Sequence, residues 1–297
     1  MVFVDVKNDV AFRKIFGNEN KKVILISFLN AIMKLQGEDR IVDVQIVNPY
    51  QLPIIKNLKA SIIDIKAKDE KGRTYIIEMQ VSEADGLDKR LLYYTSKEYS
   101  QQIEKGEEYT QLKPVIFIGI FDFFFTESNK YLSHHAVCDV ENGERIIKDM
   151  DFYFIELPKF RKKASELIEI TDKWLFFIKE AENLEIIPEN LNDTGLKKAY
   201  LDANKHGWSK TELAAYDYAS MREQDERGKM TLAVRRATEK ATKIATEKAT
   251  KIATESTTKS IHEKVVLGLF RNNTPLSIIA DSVGISEIEV KQIIENQ

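Results

Sequence analysis

The chain has 297 residues, of which 43% are hydrophobic and 31% are charged, and its formal net charge is −3. That length accommodates one sizeable domain with additions, or two small domains. The near balance of charge predicts no polyanion partner for the chain as a whole, so nucleic-acid binding would have to depend on local patches. The single cysteine, Cys138, excludes an intramolecular disulfide and a zinc site built from cysteines, and it suits a reducing cytoplasm.

Neither a secretory signal nor a membrane span is predicted. The N-terminal residues include acids and lack the apolar stretch of a signal peptide. The longest apolar run, residues 114–125, is interrupted by Asp122 and is shorter than the ~18–20 residues that cross a bilayer. We therefore expect a cytoplasmic protein that has no membrane partner.

Residues 8–35 have the apolar spacing of two α-helices, with a break at Gly17. Asp9 lies near the start of the first helix, where an acid complements the helix dipole. Residues 41–47 then alternate between apolar and polar side chains, which predicts a strand.

The stretch from residue 61 to residue 82 predicts two β-strands joined by a tight turn. β-Branched residues dominate both halves, and residues 69–72 (Asp-Glu-Lys-Gly) between them have turn chemistry. Asp64 interrupts the first strand and Glu78 the second. Gln80 lies two positions beyond Glu78, so both side chains project from the same face of the strand.

Residues 88–104 predict a helix on which Arg90 and Tyr94 lie four apart and share a surface. Residues 113–121 are nearly all apolar and predict a strand that is buried on both faces. Residues 151–157 predict another strand.

His134 and His135 lie between these last two strands, in a predicted loop or short strand. Paired histidines can bind a metal, but no acid near them has the spacing of a helical ligand set. A metal role for this pair is therefore not the expectation.

From about residue 165 the pattern is helical throughout. Residues 237–252 repeat the sequence ATEKATKI twice, and residues 227–259 contain nine Lys or Arg against three Glu. A solvated helical linker is the simpler interpretation, and a basic arm that contacts phosphates is the alternative. Residues 261–297 have the spacing of a helix-turn-helix but carry five acids against three Lys or Arg, which favours a packing or oligomerisation unit over DNA reading.

Asp64 and Glu78 can be brought together if the two predicted strands pair. Two carboxylates at the centre of a sheet can bind Mg²⁺, which prefers oxygen ligands and can assist phosphoryl hydrolysis. A lysine normally accompanies such acids, and Gln80 holds that place here. The alternative is that both acids are structural and form buried salt bridges, with Arg73 or Arg90 as partners.

The order of motifs resembles the recombination-promoting nuclease and transposase-like family of the PD-(D/E)XK nuclease superfamily. Three stretches carry the likeness, and FIELPKF at 154–160 extends it. They are NDVAFRKIFGNENKKVILISFLNAI, DIKAKDEKGRTYIIEMQ and KRLLYYTSKEYSQQIEKGEEYTQLKPVIFIGIFDF. The resemblance covers roughly residues 5–160 and implies an α/β core with the element order αβββαβ around a mixed central sheet, followed by an all-helical C-terminal region.

The resemblance also implies roles for individual residues. Asp64 and Glu78 would be the metal-ligating acids, and the backbone carbonyl of Met79 would be a third ligand. Gln80 would replace the family's catalytic lysine, and Asp9 would help to complete the site. Arg90 and Tyr94 would be supporting residues on the following helix.

From this resemblance we expect a Mg²⁺-dependent DNA endonuclease, with Mn²⁺ as an alternative ion, linked to recombination or transposon-like mobility. DNA is the expected partner and a homodimer the expected assembly, because cutting both strands of a duplex needs two sites. The alternative is a protein with a catalytically weak nuclease fold that acts in DNA binding or assembly. The predicted regions are a nuclease-like core at 1–162, a helical extension at 163–228, a basic repeat linker at 229–260 and a small helical segment at 261–297.

Overall fold

The computed structural model describes residues 1–48, 50–51, 61–189 and 191–296, with the backbone alone at Tyr50, Gln51, Ser61 and Ile62. By internal contacts the chain divides into two compact units, Met1–Gln224 and Asp225–Gln297. The helices are α1 (Asp9–Phe16), α2 (Val23–Ile32), α3 (Leu87–Ser100), α4 (Ile170–Glu180), α5 (Thr194–Ala203), α6 (Lys210–Arg271), α7 (Leu276–Val283) and α8 (Glu287–Glu295). The strands are β1 (Val44–Val47), β2 (Tyr50–Gln51), β3 (Ser61–Ile62), β4 (Ile65–Asp69), β5 (Thr74–Gln80), β6 (Val115–Phe121), β7 (Leu132–Ala136) and β8 (Met150–Glu156).

The first unit is built on a six-stranded mixed sheet with the strand order β1-β4-β5-β6-β8-β7. The β1–β4, β4–β5 and β7–β8 pairs are antiparallel, whereas β5–β6 and β6–β8 are parallel. Strand β6 is buried along its whole length, which confirms the strand predicted at 113–121. This sheet and its flanking helices confirm the predicted mixed α/β fold with an αβββαβ core.

Alternate residues of β5 enter two different cores, one on each face of the sheet. Tyr75, Ile77 and Met79 join the larger core, which includes α1, α2, α4 and α5. Ile76 joins a smaller core that contains Leu87 and Leu91 of α3. Because side chains alternate along a strand, Glu78 and Gln80 point toward the α3 face.

The hairpin between β4 and β5 differs from its prediction at one residue. Asp64 was expected inside the first strand, but β4 begins at Ile65 and Asp64 lies in the bend before it. The Asp64 carboxylate accepts the N–H of Met79, which a backbone carbonyl would accept if the ladder continued. The tight turn is present as predicted, with Gly72 at φ +79°.

His134 and His135 belong to the edge strand β7. His134 pairs with Asp151, which Arg145 also contacts at 3.0 and 3.1 Å, and His135 contacts Ser133 at 2.9 Å. Both histidines therefore have local hydrogen-bond partners on the edge of the sheet.

Helices α4 and α5 pack into the larger core of the first unit, with Trp174 and Tyr200 buried there. Residues 163–203 therefore share a core with the sheet, whereas the sequence pattern placed a helical extension after residue 162.

The second unit ends in a small core formed by the last turns of α6 with α7 and α8, around Val266, Ile279 and Val290. Helix α6 runs from Lys210 to Arg271 without a break and contains the whole repeat. Gly284, at φ +73°, ends α7 and allows the turn into α8. Within the described ranges, no helix is both long and apolar enough to cross a membrane.

Gly195→Ala tests the close contact between α5 and α2. A Cβ at Gly195 would lie 2.5 Å from Ser27 Cβ and 2.5 Å from the Val23 carbonyl oxygen. We expect the unfolding free energy to fall by about 1–3 kcal/mol, because the clash outweighs the helix propensity gained from alanine. Urea denaturation followed by tryptophan fluorescence measures this, since Trp174 and Trp208 are both buried in the first unit.

Gly207→Ala is the matched control, because nothing lies within 4 Å of a Cβ built at that position. Its unfolding free energy should stay within about 0.5 kcal/mol of the parent value. An equal effect of the two substitutions would contradict the packing of α5 on α2.

Candidate active site

Two carboxylates meet where β4 and β5 stop pairing. The Asp64 N–H donates to Glu78 Oε1 at 3.3 Å, and the Met79 N–H donates to Asp64 Oδ2 at 3.0 Å. Since Ile65 pairs with Ile77, Asp64 lies opposite Glu78. The structure thus brings together the two acids that the hairpin predicted.

Gln80 joins the pair through its amide. Its Nε2 donates to Glu78 Oε2 at 3.1 Å, and its Oε1 accepts from Arg90 Nη2 at 2.7 Å. Because a guanidinium only donates hydrogen bonds, Arg90 fixes the amide oxygen toward itself and the amide nitrogen toward Glu78. Arg90 therefore holds the Gln80 amide in place, and its supporting role at the site stays a prediction.

Arg13, which the sequence analysis did not single out, also contacts the acids. Its Nη2 and Nε lie 2.7 and 3.3 Å from Asp64 Oδ1. The Asp64 side chain is 9% exposed, whereas the Arg13 side chain is 48% exposed. The one sequence signal is that Arg13 follows Asp9 by four residues, so both lie on one face of α1.

Asp9 lies in the first turn of α1, as predicted, but its carboxylate contacts Arg222 at 3.6 Å. Its negative charge contributes to the raised pKa of Asp64, so the two acids are within electrostatic range. Across the parts of the chain that the structure describes, no three or more His, Cys, Asp or Glu side chains are grouped so that they could hold a metal ion. Asp9 therefore does not form a three-acid cluster with Asp64 and Glu78 in this conformation.

Tyr94 faces the same region from α3. Burial raises the pKa of its phenol, and the negative charge of Glu78 adds to the rise. Tyr94 is thus close enough for the charges of the two acids to affect its pKa.

Both carboxyl groups of the pair have a raised pKa. Burial raises the pKa of Glu78 to about 8, and the charge of Asp64 adds to the rise while Arg90 opposes it. Burial also raises the pKa of Asp64, and the hydrogen bond from Arg13 opposes that rise. Near neutral pH the pair therefore tends to retain a proton, which a bound cation would displace.

The salt-bridge alternative is only partly realised. Arg73 pairs with Asp69 at 2.6 Å, and Arg90 bonds to Gln80 rather than directly to a carboxylate. The ion pair that does form is Arg13 with Asp64, and it leaves Glu78 with neutral or backbone donors.

The donor set fits a hard divalent cation. Asp64 and Glu78 offer carboxylate oxygens, and Mg²⁺ needs few protein ligands because it retains several waters. The N–H and C=O of a strand residue point to the same side, and the Met79 N–H points to Asp64. The Met79 carbonyl is thus directed to the same side of β5 as the acids, where a third oxygen ligand was predicted.

A known protein family matches most of the chain. The model of the PD-(D/E)XK nuclease family transposase matches residues 6–233. The chain belongs to this PD-(D/E)XK nuclease family. The family suggested by the sequence motifs is thereby confirmed, and the matched range contains the acids and every residue that contacts them. No curated protein and no solved structure matches the chain.

Glu78→Gln tests whether the pKa of the Glu78 carboxyl is raised in the folded chain. The pKa of Glu78 is about 8 in the folded chain, against an ordinary value of 4.5. Because the folded value is raised, the proton on Glu78 stabilises the fold fully below the ordinary pKa, and this stabilisation is lost as the pH rises through about 8. The stability of the variant relative to the parent should therefore increase across this pH window by a few kcal/mol, at about 1.4 kcal/mol per pKa unit.

Urea denaturation over this pH range measures the difference. Glu108→Gln, at an exposed acid, is the control. The difference in unfolding free energy between this variant and the parent should not change with pH. If the difference in unfolding free energy between Glu78→Gln and the parent is also independent of pH, Glu78 titrates like an ordinary surface acid.

Proposed function

We propose that the protein is a divalent-cation-dependent DNA endonuclease that hydrolyses phosphodiester bonds. The observation that carries this proposal is the pair of largely buried carboxylates, Asp64 and Glu78, which backbone N–H groups hold at the end of one hairpin in a chain of the PD-(D/E)XK nuclease family. Buried acids with strongly raised pKa values are typical of functional sites, since a purely structural acid is normally neutralised by a partner.

Asp64, Glu78 and the Met79 carbonyl would hold the cation, for which we propose Mg²⁺, with Mn²⁺ as an alternative. When bound there, such a cation supplies positive charge that stabilises the developing negative charge on the phosphoryl group. All three proposed ligands are oxygen atoms, which suit Mg²⁺ and Mn²⁺ and disfavour an ion that prefers sulfur ligands.

The chain's own groups would orient the substrate and its water. Gln80 is held by Arg90 and can orient the attacking water by hydrogen bonding, although it adds no charge. In-line attack by that water on phosphorus displaces the 3′-oxygen, which leaves a 5′-phosphate and a 3′-hydroxyl end. Asp9 and Tyr94 remain proposed as auxiliary residues at the margin of the site.

DNA is the proposed substrate, and recombination or transposon-like mobility is the proposed setting, in accord with the family's description as transposases. A cytoplasmic location is part of the same proposal and is supported by the single cysteine.

A catalytically weak protein that acts in DNA binding or assembly is the second candidate. Two observations favour it. Gln80 carries no charge where this chemistry usually has a lysine, and the four oxygens of the acid pair all accept hydrogen bonds from the protein. The same fold and DNA contacts would then serve without cleavage.

Asp64→Asn and Glu78→Gln separate the two candidates. Each should reduce nicking of supercoiled plasmid in the presence of Mg²⁺ by about 10²-fold or more, because each removes charge that holds the cation. The parent protein without Mg²⁺ should not nick the plasmid, and melting temperatures should show that both variants are folded.

Glu108→Gln serves again as the matched control and should cut like the parent. Parent-like cutting by both site variants would refute the endonuclease site. A parent protein that binds DNA but never nicks it would favour the weak-nuclease candidate.

A homodimer is the proposed assembly, with the C-terminal residues as the contact. Light scattering should give twice the chain mass of 34.2 kDa for the parent. Deletion of residues 230–297 should return the mass to that of one chain, and an unchanged number of chains would remove this role from the tail.

A further inference from the structure

Arg13 is the more exposed of the two arginines at the candidate active site in the described part of the chain. Two of its guanidinium nitrogens contact Asp64 Oδ1, at 2.7 and 3.3 Å, yet about half of its side chain is exposed. Asp64, by contrast, is fixed by the N–H of Met79 and is almost fully buried. If this ion pair breaks, the arginine is therefore the partner that moves.

Arg90 is the fixed cation on the other side of the acids. Its Nη2 is committed to Gln80 at 2.7 Å, and its Nε is enclosed by protein without a hydrogen-bond partner in the described part of the chain. A guanidinium held in this way cannot easily reach a substrate. Among the described residues two arginines contact the site, and the exposed one, Arg13, is the better placed to change partner.

A divalent cation held by Asp64 would compete with Arg13 for the negative charge of the carboxylate. A cation held by Asp64 would draw on the negative charge that Oδ1 now shares with the guanidinium, and two positive groups at one oxygen repel each other. Loading of the cation would therefore release Arg13 from Asp64 at least in part. The planar guanidinium matches the spacing of two phosphate oxygens, which makes DNA the natural next partner.

We propose that Arg13 exchanges partners: it neutralises Asp64 before the cation binds, and it then contacts the backbone phosphate of the DNA. The exchange would bring to the phosphate the positive charge that Gln80 does not provide. This inference rests on the proposed nuclease function and assigns to it a phosphate-contacting residue on α1.

The exchange predicts effects of opposite sign on two measurements. Arg13→Gln should bind Mg²⁺ about threefold to tenfold more tightly, because it removes a competitor for Asp64 worth about 1 kcal/mol. The same variant should cleave DNA about 10²-fold more slowly at saturating Mg²⁺, because the phosphate loses its guanidinium. An arginine that only braces the fold would weaken or leave unchanged the binding of Mg²⁺.

Isothermal titration calorimetry with Mg²⁺ alone measures the first effect, above the pKa of about 8 of Glu78 so that protonation does not mask it. Lys14→Gln is the matched control, because Lys14 is the next residue on α1 and pairs with Glu212 instead. It should leave both Mg²⁺ binding and cleavage at the parent values. Arg13→Lys, which retains the charge without the planar fork, should bind Mg²⁺ like the parent and recover part of the cleavage.

A second measurement needs neither metal nor cleavage. Binding of a short fluorescein-labelled duplex is compared, in the presence of a chelator, for the parent, Asp64→Asn, Arg13→Gln and the double variant. Asp64→Asn frees Arg13 for the phosphate, so Arg13→Gln should weaken DNA binding about threefold or more beyond its effect in the parent background. A general charge effect would weaken binding equally in both backgrounds.

The outcomes separate this inference from the proposed function. Cleavage that depends on Glu78, together with unchanged or weaker Mg²⁺ binding by Arg13→Gln and equal losses in the two DNA-binding backgrounds, overturns the exchange and leaves the nuclease intact. No Mg²⁺ binding and no cleavage by the parent overturn the proposed function, and the DNA-binding comparison then decides the role of Arg13 by itself. Absence of DNA binding by every variant overturns both.

Discussion

Two backbone N–H groups hold the acid pair at the end of the central hairpin. The Asp64 N–H donates to Glu78 and the Met79 N–H donates to Asp64, so each carboxylate is tied to the strand that carries the other. These bonds replace the next rung of the β4–β5 ladder and fix both acids in a largely buried position. Burying two negative charges side by side without partners costs several kcal/mol or more. The groups around the two acids have to offset this cost.

Other buried acids in the same unit show what a purely structural solution looks like. Burial alone would raise the pKa of Glu156, but hydrogen bonds from Lys159 and Thr126 bring it below its ordinary value. Glu98 is paired with Lys66 at 2.7 Å, and Asp69 accepts from both Arg73 and Tyr75. These acids have cationic partners in direct contact.

In the part of the chain that the structure describes, no cationic group contacts Glu78 directly. The Asp64 N–H and the Gln80 amide donate to its carboxylate, and burial raises its pKa to about 8. A bound divalent cation would supply the positive charge that is missing beside Glu78. Glu78 therefore differs from Glu156, Glu98 and Asp69, which have a cationic partner, and this difference favours a candidate active site over a structural ion pair.

Sequence patterns predicted the local part of this arrangement. Two β-branched runs around a turn gave the hairpin, and the period of two placed Glu78 and Gln80 on one face. The motif order gave the family. The bend at Asp64 was missed because strand propensity does not show that a side chain will take the place of a backbone partner.

The long-range part could not be read from the sequence. Arg13 and Asp64 are 51 residues apart, and their contact depends on how α1 packs into the larger core, where Phe16 contacts Phe28 and Trp174. The length of α6 could not be predicted either, because its repeat has only a weak apolar pattern.

The proposed divalent-cation site at Asp64 and Glu78 is tested most directly by an anomalous difference map from crystals of the protein soaked in Mn²⁺. We expect a peak bound by the carboxylates of Asp64 and Glu78, with the Arg13 guanidinium displaced from Asp64 Oδ1. A map without a peak at these acids, in which Arg13 still contacts Asp64 and Gln80 still donates to Glu78, would contradict it.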